Sequence, residues 1–448
     1  MILSLVLVFL LFFTLLYPSA RAAEYSLMEP FDLLIYSGKT DGTVARAYNS
    51  NYDGNTYLSL TDVSSALNGT SRQFSFRFAN TTTEGEHFLI QTGESYLLPE
   101  KPVNADRSEP VWLEYKRNRI LLNGADRKYY TYRDGINDLY MSLTDIQLML
   151  DISMEYTPEG FLILYPNRPF TPDISGLTEA GYFNYVNGVI LGDANTGKIL
   201  FFRDKNKITS IASTSKLMTY LLLAEAEKDG RFSRNDTVVI SEVAEKLSKS
   251  ADGIIPMTAG DEIPASELLD GMLLASSNES ALALAEHVSG SEASFVREMN
   301  ERAQQLGLNS AEFFNPHGLP VYSRSTVQTK LQNRMCAEDL FRLAAYVIAE
   351  YPSITEITSK QYVTLPTLEY TTANSNPLVF NMPGVTGLKT GSTNRAGYCL
   401  TASMPVTVNG ETHTILLVIL GSETGSERGQ QAEILLRYAQ QYYQGNGF

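Results

Sequence analysis

Along the second half of this chain apolar residues recur with two different periods, and the switches between them outline its elements. Val189-Ile190-Leu191 and Lys198 to Phe202 read as strands joined across Asn195-Thr196-Gly197, which predicts a hairpin. Thr214 to Lys228 carries its apolar residues at helical spacing and stops before Gly230. Ala281 to Val288 reads as a further apolar helix. Gly397 to Ser403 and Thr412 to Leu420 then pair across Val408-Asn409-Gly410, and Glu427 to Tyr443 closes the chain as a helix. Strands that pair through turns, with helices between them, predict an α/β (α+β) fold: an antiparallel sheet flanked by helices.

Before Pro166 the pattern repeats itself. The run Tyr57-Leu58-Ser59-Leu60-Thr61-Asp62-Val63 is echoed 83 residues later by Tyr140-Met141-Ser142-Leu143-Thr144-Asp145-Ile146. Each copy predicts a strand entering a helix, with the Thr61 or Thr144 hydroxyl as its cap and Asp62 or Asp145 in its first turn. Ser153 to Tyr156 and Gly160 to Leu164 read as paired strands around Pro158-Glu159. Pro166, Pro169 and Pro172 stiffen the next stretch, as a linker requires. At the other end Ile2 to Tyr17 is apolar and is followed by Ala20-Arg21-Ala22, the small-x-small pattern of an export signal. As a helix this run is about 24 Å long, short of a ~30 Å hydrocarbon core, so cleavage after Ala22 is expected rather than a retained anchor. The resulting domains are a signal peptide over 1–22, a small repeat-containing α+β domain over 23–165, a linker over 166–181 and a larger domain over 182–445.

Composition narrows the function. A length of 448 residues favours two or three domains, and 44% hydrophobic with 19% charged residues is a globular composition. The net charge of −15 leaves no basic stripe to neutralise phosphates, so nucleic acid is not expected as a partner. Cys336 and Cys399 are too few for a disulfide framework, and Cys399 reads as a buried strand cysteine. His87, His287, His317 and His413 share no metal-ligand spacing, so neither a metal nor another cofactor is expected. His317 reads as a structural residue of the Asn315-Pro316-His317-Gly318 turn.

The chemistry lies in three short motifs in order: Ser213-Thr214-Ser215-Lys216, Ser276-Ser277-Asn278 and Lys389-Thr390-Gly391. A serine hydroxyl is a poor nucleophile until a base takes its proton, and a lysine three residues on returns to the same helical face. Desolvation at a buried helix start would bring that lysine toward neutrality, where it can act as a base. Singly each motif is common, whereas the ordered triplet marks penicillin-binding proteins and class A β-lactamases.

The flanks narrow the likeness further. Val189 to Leu200, Ala212 to Thr219, Leu274 to Ala281, Phe314 to Leu319 and Gly387 to Gly391 with Ala396-Gly397-Tyr398 follow in register. From about Tyr182 to Tyr443 the chain resembles the D-alanyl-D-alanine carboxypeptidases of low molecular mass among penicillin-binding proteins, serine peptidase family S11. Two positions depart from the pattern, Ile211 where proline is usual and Thr386 where aspartate is usual.

That resemblance implies a DD-peptidase/β-lactamase-like fold with a helical subdomain. It implies Ser213 as nucleophile, Lys216 as base and Ser276 as proton relay. Asn278 would then hold the peptide, with Lys389, Thr390 and Gly391 binding its free end and the backbone N–H groups of Ser213 and Ser392 forming the oxyanion hole. The expected reaction removes the terminal D-alanine of a peptidoglycan stem peptide, with β-lactam antibiotics as trapped partners, in an exported bacterial cell-wall or membrane-associated enzyme. A β-lactamase, an endopeptidase or transpeptidase of the same superfamily, and a non-catalytic wall-binding or penicillin-sensing protein are the rivals. No Glu-x-x-Leu-Asn pattern lies between Asn278 and Lys389, which disfavours the β-lactamase. The repeat resembles the small module named after the N-terminal domain of copper amine oxidases, with wall binding, a spacer role or plain packing as its expected uses.

Overall fold

Each copy of the repeat builds a strand that turns directly into a helix, in a computed structural model describing residues 24–38, 42–50, 55–81, 85–96, 110–134, 138–179, 181–322 and 330–445. Contacts divide the chain into two units at Phe170/Thr171. The export signal expected over 1–22 lies outside the described residues.

In the first unit one half runs β1 (Glu24–Tyr36), β2 (Thr43–Ser50), β3 (Thr56–Ser59), α1 (Leu60–Leu67), β4 (Phe74–Thr81) and β5 (Gly85–Thr92). The other half runs β6 (Val111–Leu122), β7 (Ala125–Asp134), β8 (Asp138–Ser142), α2 (Leu143–Leu150), β9 (Ser153–Tyr156) and β10 (Leu162–Tyr165). Ser59 and Ser142 cap the two helices by accepting from the Asp62 and Asp145 amides at 3.3 and 3.1 Å, so the expected caps Thr61 and Thr144 sit two residues too late, inside the first turn. The last strand residue doubles as the cap because no loop separates strand from helix.

The halves are joined by an internal two-fold. Leu58 pairs with Met141 across β3 and β8, and Met28 pairs with Val111 across β1 and β6. Both pairs are separated by the 83 residues of the sequence repeat, so an approximate two-fold axis passes through each. The β1–β6 pairing closes β6, β7, β8, β3, β2 and β1 into a ring. Each of those six strands sends one side chain into a shared cluster: Met28, Tyr48, Tyr57, Leu113, Tyr132 and Tyr140. Tyr48 packs edge-to-face on Tyr140 and Tyr57 on Tyr132, with centroids 4.8 and 4.7 Å apart, an arrangement the ring quadrupoles favour.

The second unit holds a five-stranded antiparallel sheet. Its strands are β11 (Gly188–Asp193), β12 (Ile199–Arg203), β13 (Gly387–Thr393), β14 (Gly397–Val408) and β15 (Glu411–Ser422), in the order β12-β11-β15-β14-β13. Every position of β15 from Ile415 to Ser422 is buried, so both faces of the sheet centre are covered. Helix α3 (Lys216–Lys228) is buried on nearly all sides, as a helix threading a core must be. Helices α4 (Asn278–Ser289) and α5 (Ala337–Glu350) share its core cluster. Helix α6 (Gly425–Gln444) starts with a capping box between Thr424 and Glu427. Edge strand β13 has one neighbour, leaving its other side open toward the start of α3.

Candidate active site

Ser213 lies on a single 3-10 turn, Ala212–Ser215, and α3 begins at Lys216, two residues after the expected start at Thr214. Two features fix that turn. Ala212 adopts φ +47°, a left-handed conformation costly for alanine. Gly318, at φ +93°, lies so close that a Cβ there would stand 2.1 Å from the Ala212 carbonyl oxygen. Only glycine meets both demands. Asn315 folds the turn that carries Gly318 by accepting the amides of His317 and Gly318 at 3.2 and 2.6 Å.

Lys216 is fully buried, and its Nζ has three neighbours: Ser213 Oγ at 2.9 Å, Asn278 Oδ1 at 2.8 Å and the His317 carbonyl oxygen at 2.7 Å. Burial brings its pKa down to about 7, against an upward pull from Glu279. A neutral amine has two N–H bonds and one lone pair. With the N–H bonds donated to Asn278 and His317, the lone pair is left for the Ser213 hydroxyl proton. Asn278 is therefore held on the lysine, its Nδ2 donating to the Asp252 carbonyl at 2.8 Å, and both ends of its amide are engaged before any peptide arrives. Ser277 is the N-cap of α4, accepting from the Ser280 amide at 3.0 Å.

Ser276 sits at φ +67° where a π-helical turn, Gly271–Ala275, ends. It makes no side-chain hydrogen bond among the described residues, and it is partly exposed. Lys389 on β13 is fully buried, its Nζ donating to the Thr390 carbonyl at 3.0 Å. Burial, then the charges of Lys216 and Arg428, hold its pKa well below the usual lysine value. Thr386, in place of the usual aspartate, shares a hydrogen bond with the Ser403 hydroxyl at 2.7 Å. His317 is nearly buried, and desolvation beside Lys216 pushes its imidazole down to about 3, leaving it neutral. Its carbonyl, not its ring, faces Lys216.

Gly391 pairs with Cys399 and presses on the turn that carries Ser213. A Cβ at Gly391 would lie 2.7 Å from the Ser213 amide nitrogen and 3.0 Å from that of Thr214. The glycine is thus needed for contact with Ser213 itself, in addition to an open strand edge. Gly391→Ala is expected to move the Ser213 N–H and lower acylation by ~10²–10³-fold, as losing one oxyanion donor does. Stopped-flow acylation by a chromogenic penicillin measures this.

Sequence reasoning missed one residue of the site. Ser375 shares a 2.7 Å hydrogen bond between its hydroxyl and that of Thr390, and its amide donates to the Leu274 carbonyl at 2.8 Å. It ties the Ser276 turn to β13. The Asn374-Ser375-Asn376 run, with both asparagines buried, was the available signal. Ser375→Ala is expected to raise KM for a D-Ala-D-Ala peptide by roughly 2–10-fold with little change in kcat, the effect of one lost hydrogen bond. Steady-state D-alanine release separates the two constants.

Residues 186–424 match the family described as D-alanyl-D-alanine carboxypeptidase, peptidase family S11, over more than half of the chain. The chain belongs to that family. D-alanyl-D-alanine carboxypeptidase DacF of Bacillus subtilis is 35% identical over 258 residues, which are 57% of this chain and 62% of the relative. DacA of Haemophilus influenzae is 30% identical over 250 residues, 56% of this chain and 60% of its own. The matches thus span less than two thirds of these relatives' length. Penicillin binding protein 5 from Haemophilus influenzae superposes with a TM-score of 0.51 at 29% identity, over 57% of this chain and 70% of that one. A peptidoglycan synthesis regulatory factor from Streptococcus pneumoniae, PBP3, gives 0.52 at 29% identity, over 58% and 73%. The sheet and helices of the second unit have the fold of these penicillin-binding proteins.

Proposed function

We propose that the second unit is a serine D-Ala-D-Ala carboxypeptidase, acting on peptidoglycan stem peptides through an acyl-enzyme on Ser213. The observation that carries this reading is the set of three contacts on Lys216 Nζ, which leaves its lone pair for one serine. Lys216 takes the Ser213 proton as Oγ attacks the carbonyl between the two terminal D-alanines. The oxygen of that carbonyl becomes negative and accepts from the Ser213 and Ser392 N–H groups. The C–N bond then breaks, and the leaving amine receives the proton from Lys216 through Ser276, whose hydroxyl has no competing bond among the described residues. Water then attacks the ester carbonyl while Lys216 takes its proton; as the C–Oγ bond breaks, Lys216 passes that proton to Ser213 Oγ, and the shortened peptide leaves with its new carboxylate.

Substrate choice follows from charge. Lys389, Thr390 and nearby Arg428 gather positive and hydroxyl groups at the middle of an edge strand, a site for a free terminal carboxylate. Carboxylate binding would also restore the Lys389 ammonium that burial disfavours. A β-lactam carries a carboxylate beside a reactive carbonyl, and would acylate Ser213 in the same way. The apolar leader supports export to the cell wall. Among the described residues no helix is long and apolar enough to cross a membrane.

The test is incubation of the purified chain with a pentapeptide ending in D-Ala-D-Ala and assay of released D-alanine. Release that persists in Ser213→Ala would overturn the mechanism. Rapid turnover of benzylpenicillin with no D-alanine release would instead place the chain among β-lactamases.

A further inference from the structure

One buried ionisable side chain near the site takes no part in the steps above. Glu279, the second residue of α4, is fully buried. Its Oε1 accepts from the backbone amides of Ile254, at 3.1 Å, and Ile255. Its Oε2 has no hydrogen-bond partner among the described residues. Burying a carboxylate with one oxygen unused is costly, so a nearby positive charge is required to offset it. The first turn of α4 contributes partial positive charge, and Lys216 is the side chain whose protonation Glu279 favours.

The segment held by Glu279 leads back to the site. Asp252, two residues before Ile254, presents the carbonyl that receives Asn278 Nδ2 at 2.8 Å and so decides which end of the amide faces Lys216. The same segment is fastened at Ile254 by the Tyr370 hydroxyl at 3.2 Å. At Gly253 it folds so tightly that a Cβ would lie 1.8 Å from the Ser248 carbonyl oxygen.

We propose that Glu279 is a positioning residue for acylation: its carboxylate holds the 252–255 segment so that the Asn278 oxygen stays on Lys216, and its charge is the counter-ion of the Lys216 ammonium. This rests on Lys216 being the base of the proposed reaction. The groups around Lys216 are Glu279 from α4, Lys389 from β13, and His317 from the 315–319 turn, which offers its carbonyl while its imidazole stays neutral, with Arg428 of α6 beyond Lys389. Glu279 is the single anion in that set. Burial favours the neutral amine while Glu279 opposes it, so removing its charge extends the unprotonated form of Lys216 to lower pH.

The experiment measures the second-order rate of labelling by a fluorescent penicillin between about pH 5 and 9, where a general base titrates, on the full chain. Glu279→Gln is expected to move the acidic limb of the profile down by about half a pH unit or more, since an opposite charge is lost beside the base. Its plateau should fall roughly 10-fold as Asn278 loosens and the base weakens. Glu279→Asp keeps the charge on a shorter arm, so its limb returns to the wild-type position while its plateau stays low. A Glu279→Gln limb that overlays the wild type overturns the proposal. If thermal melting shows that Glu279→Gln does not fold, Glu279→Asp decides alone, and a wild-type plateau there overturns it. A wild type that takes up no penicillin at any pH is a different failure, which removes the proposed function first.

Discussion

Ser213→Ala is expected to take up no fluorescent penicillin and to release D-alanine ~10⁴–10⁶-fold more slowly than the wild type, while melting at an unchanged temperature. The substitution removes one oxygen atom. Ser213 is partly exposed, and its Oγ contacts Lys216 Nζ at 2.9 Å and the His317 carbonyl at 3.3 Å, so no core cavity opens when it is lost. The turn that carries it is held by Ala212, Gly318 and Gly391. What disappears is the bond-forming step, and serine peptidases that lose their nucleophile fall by about this factor, keeping only what binding and the oxyanion hole supply. The result is read by gel fluorescence for labelling, by D-alanine release for rate and by calorimetry for stability. Labelling at another residue, or a loss smaller than ~10²-fold, would show that the acyl group is carried elsewhere.

Lys216 gives the second large effect, and its signature is in pH as well as in rate. With a pKa near 7, the amine is half unprotonated at about neutral pH. Acylation by penicillin should therefore climb as pH rises through about 7 and level off above it, because the form that accepts the proton is the one that has lost its own. Lys216→Ala removes the base and is expected to slow acylation ~10²–10⁴-fold. Lys216→Arg is the sharper probe. A guanidinium stays charged across this range and cannot accept the proton, so the rate should be equally low and the limb near pH 7 should vanish. Rapid labelling of either variant, or a limb that survives in Lys216→Arg, would take the base role away from this residue.

Much of this site was legible as residue identity, and little of it as geometry. Ser213, Lys216 and Lys389 announce themselves because the chemistry needs a hydroxyl and amines at fixed separations. The third contact on Lys216 comes from the carbonyl of His317, and a carbonyl belongs to every residue type, so nothing in the sequence singles it out. Asn278 reads as a holder of substrate because its side chain suits that role. Its engagement by Lys216 and Asp252 depends on a segment 26 residues earlier, which no local pattern reveals. Glu279 has the same difficulty, as an acidic residue in a first helical turn is ordinarily a solvated partner of the dipole. In the fold, the apolar periods located four of the five sheet strands, with Gly397 to Ser403 ending five residues before Val408, and did not mark β13. The caps were displaced onto Ser59 and Ser142 because propensity alone does not say where a strand stops when no turn intervenes.

The two-fold in the first unit has a consequence for how it must assemble. Strand β10, near its end, lies beside β1 at its beginning, and β5 of one half lies beside β6 of the other. Neither half can satisfy its outer backbone groups by itself. Unfolding should therefore be all-or-none across the unit, and its folding should be slow for its size, since pairings between chain ends must form before most local strands have two neighbours.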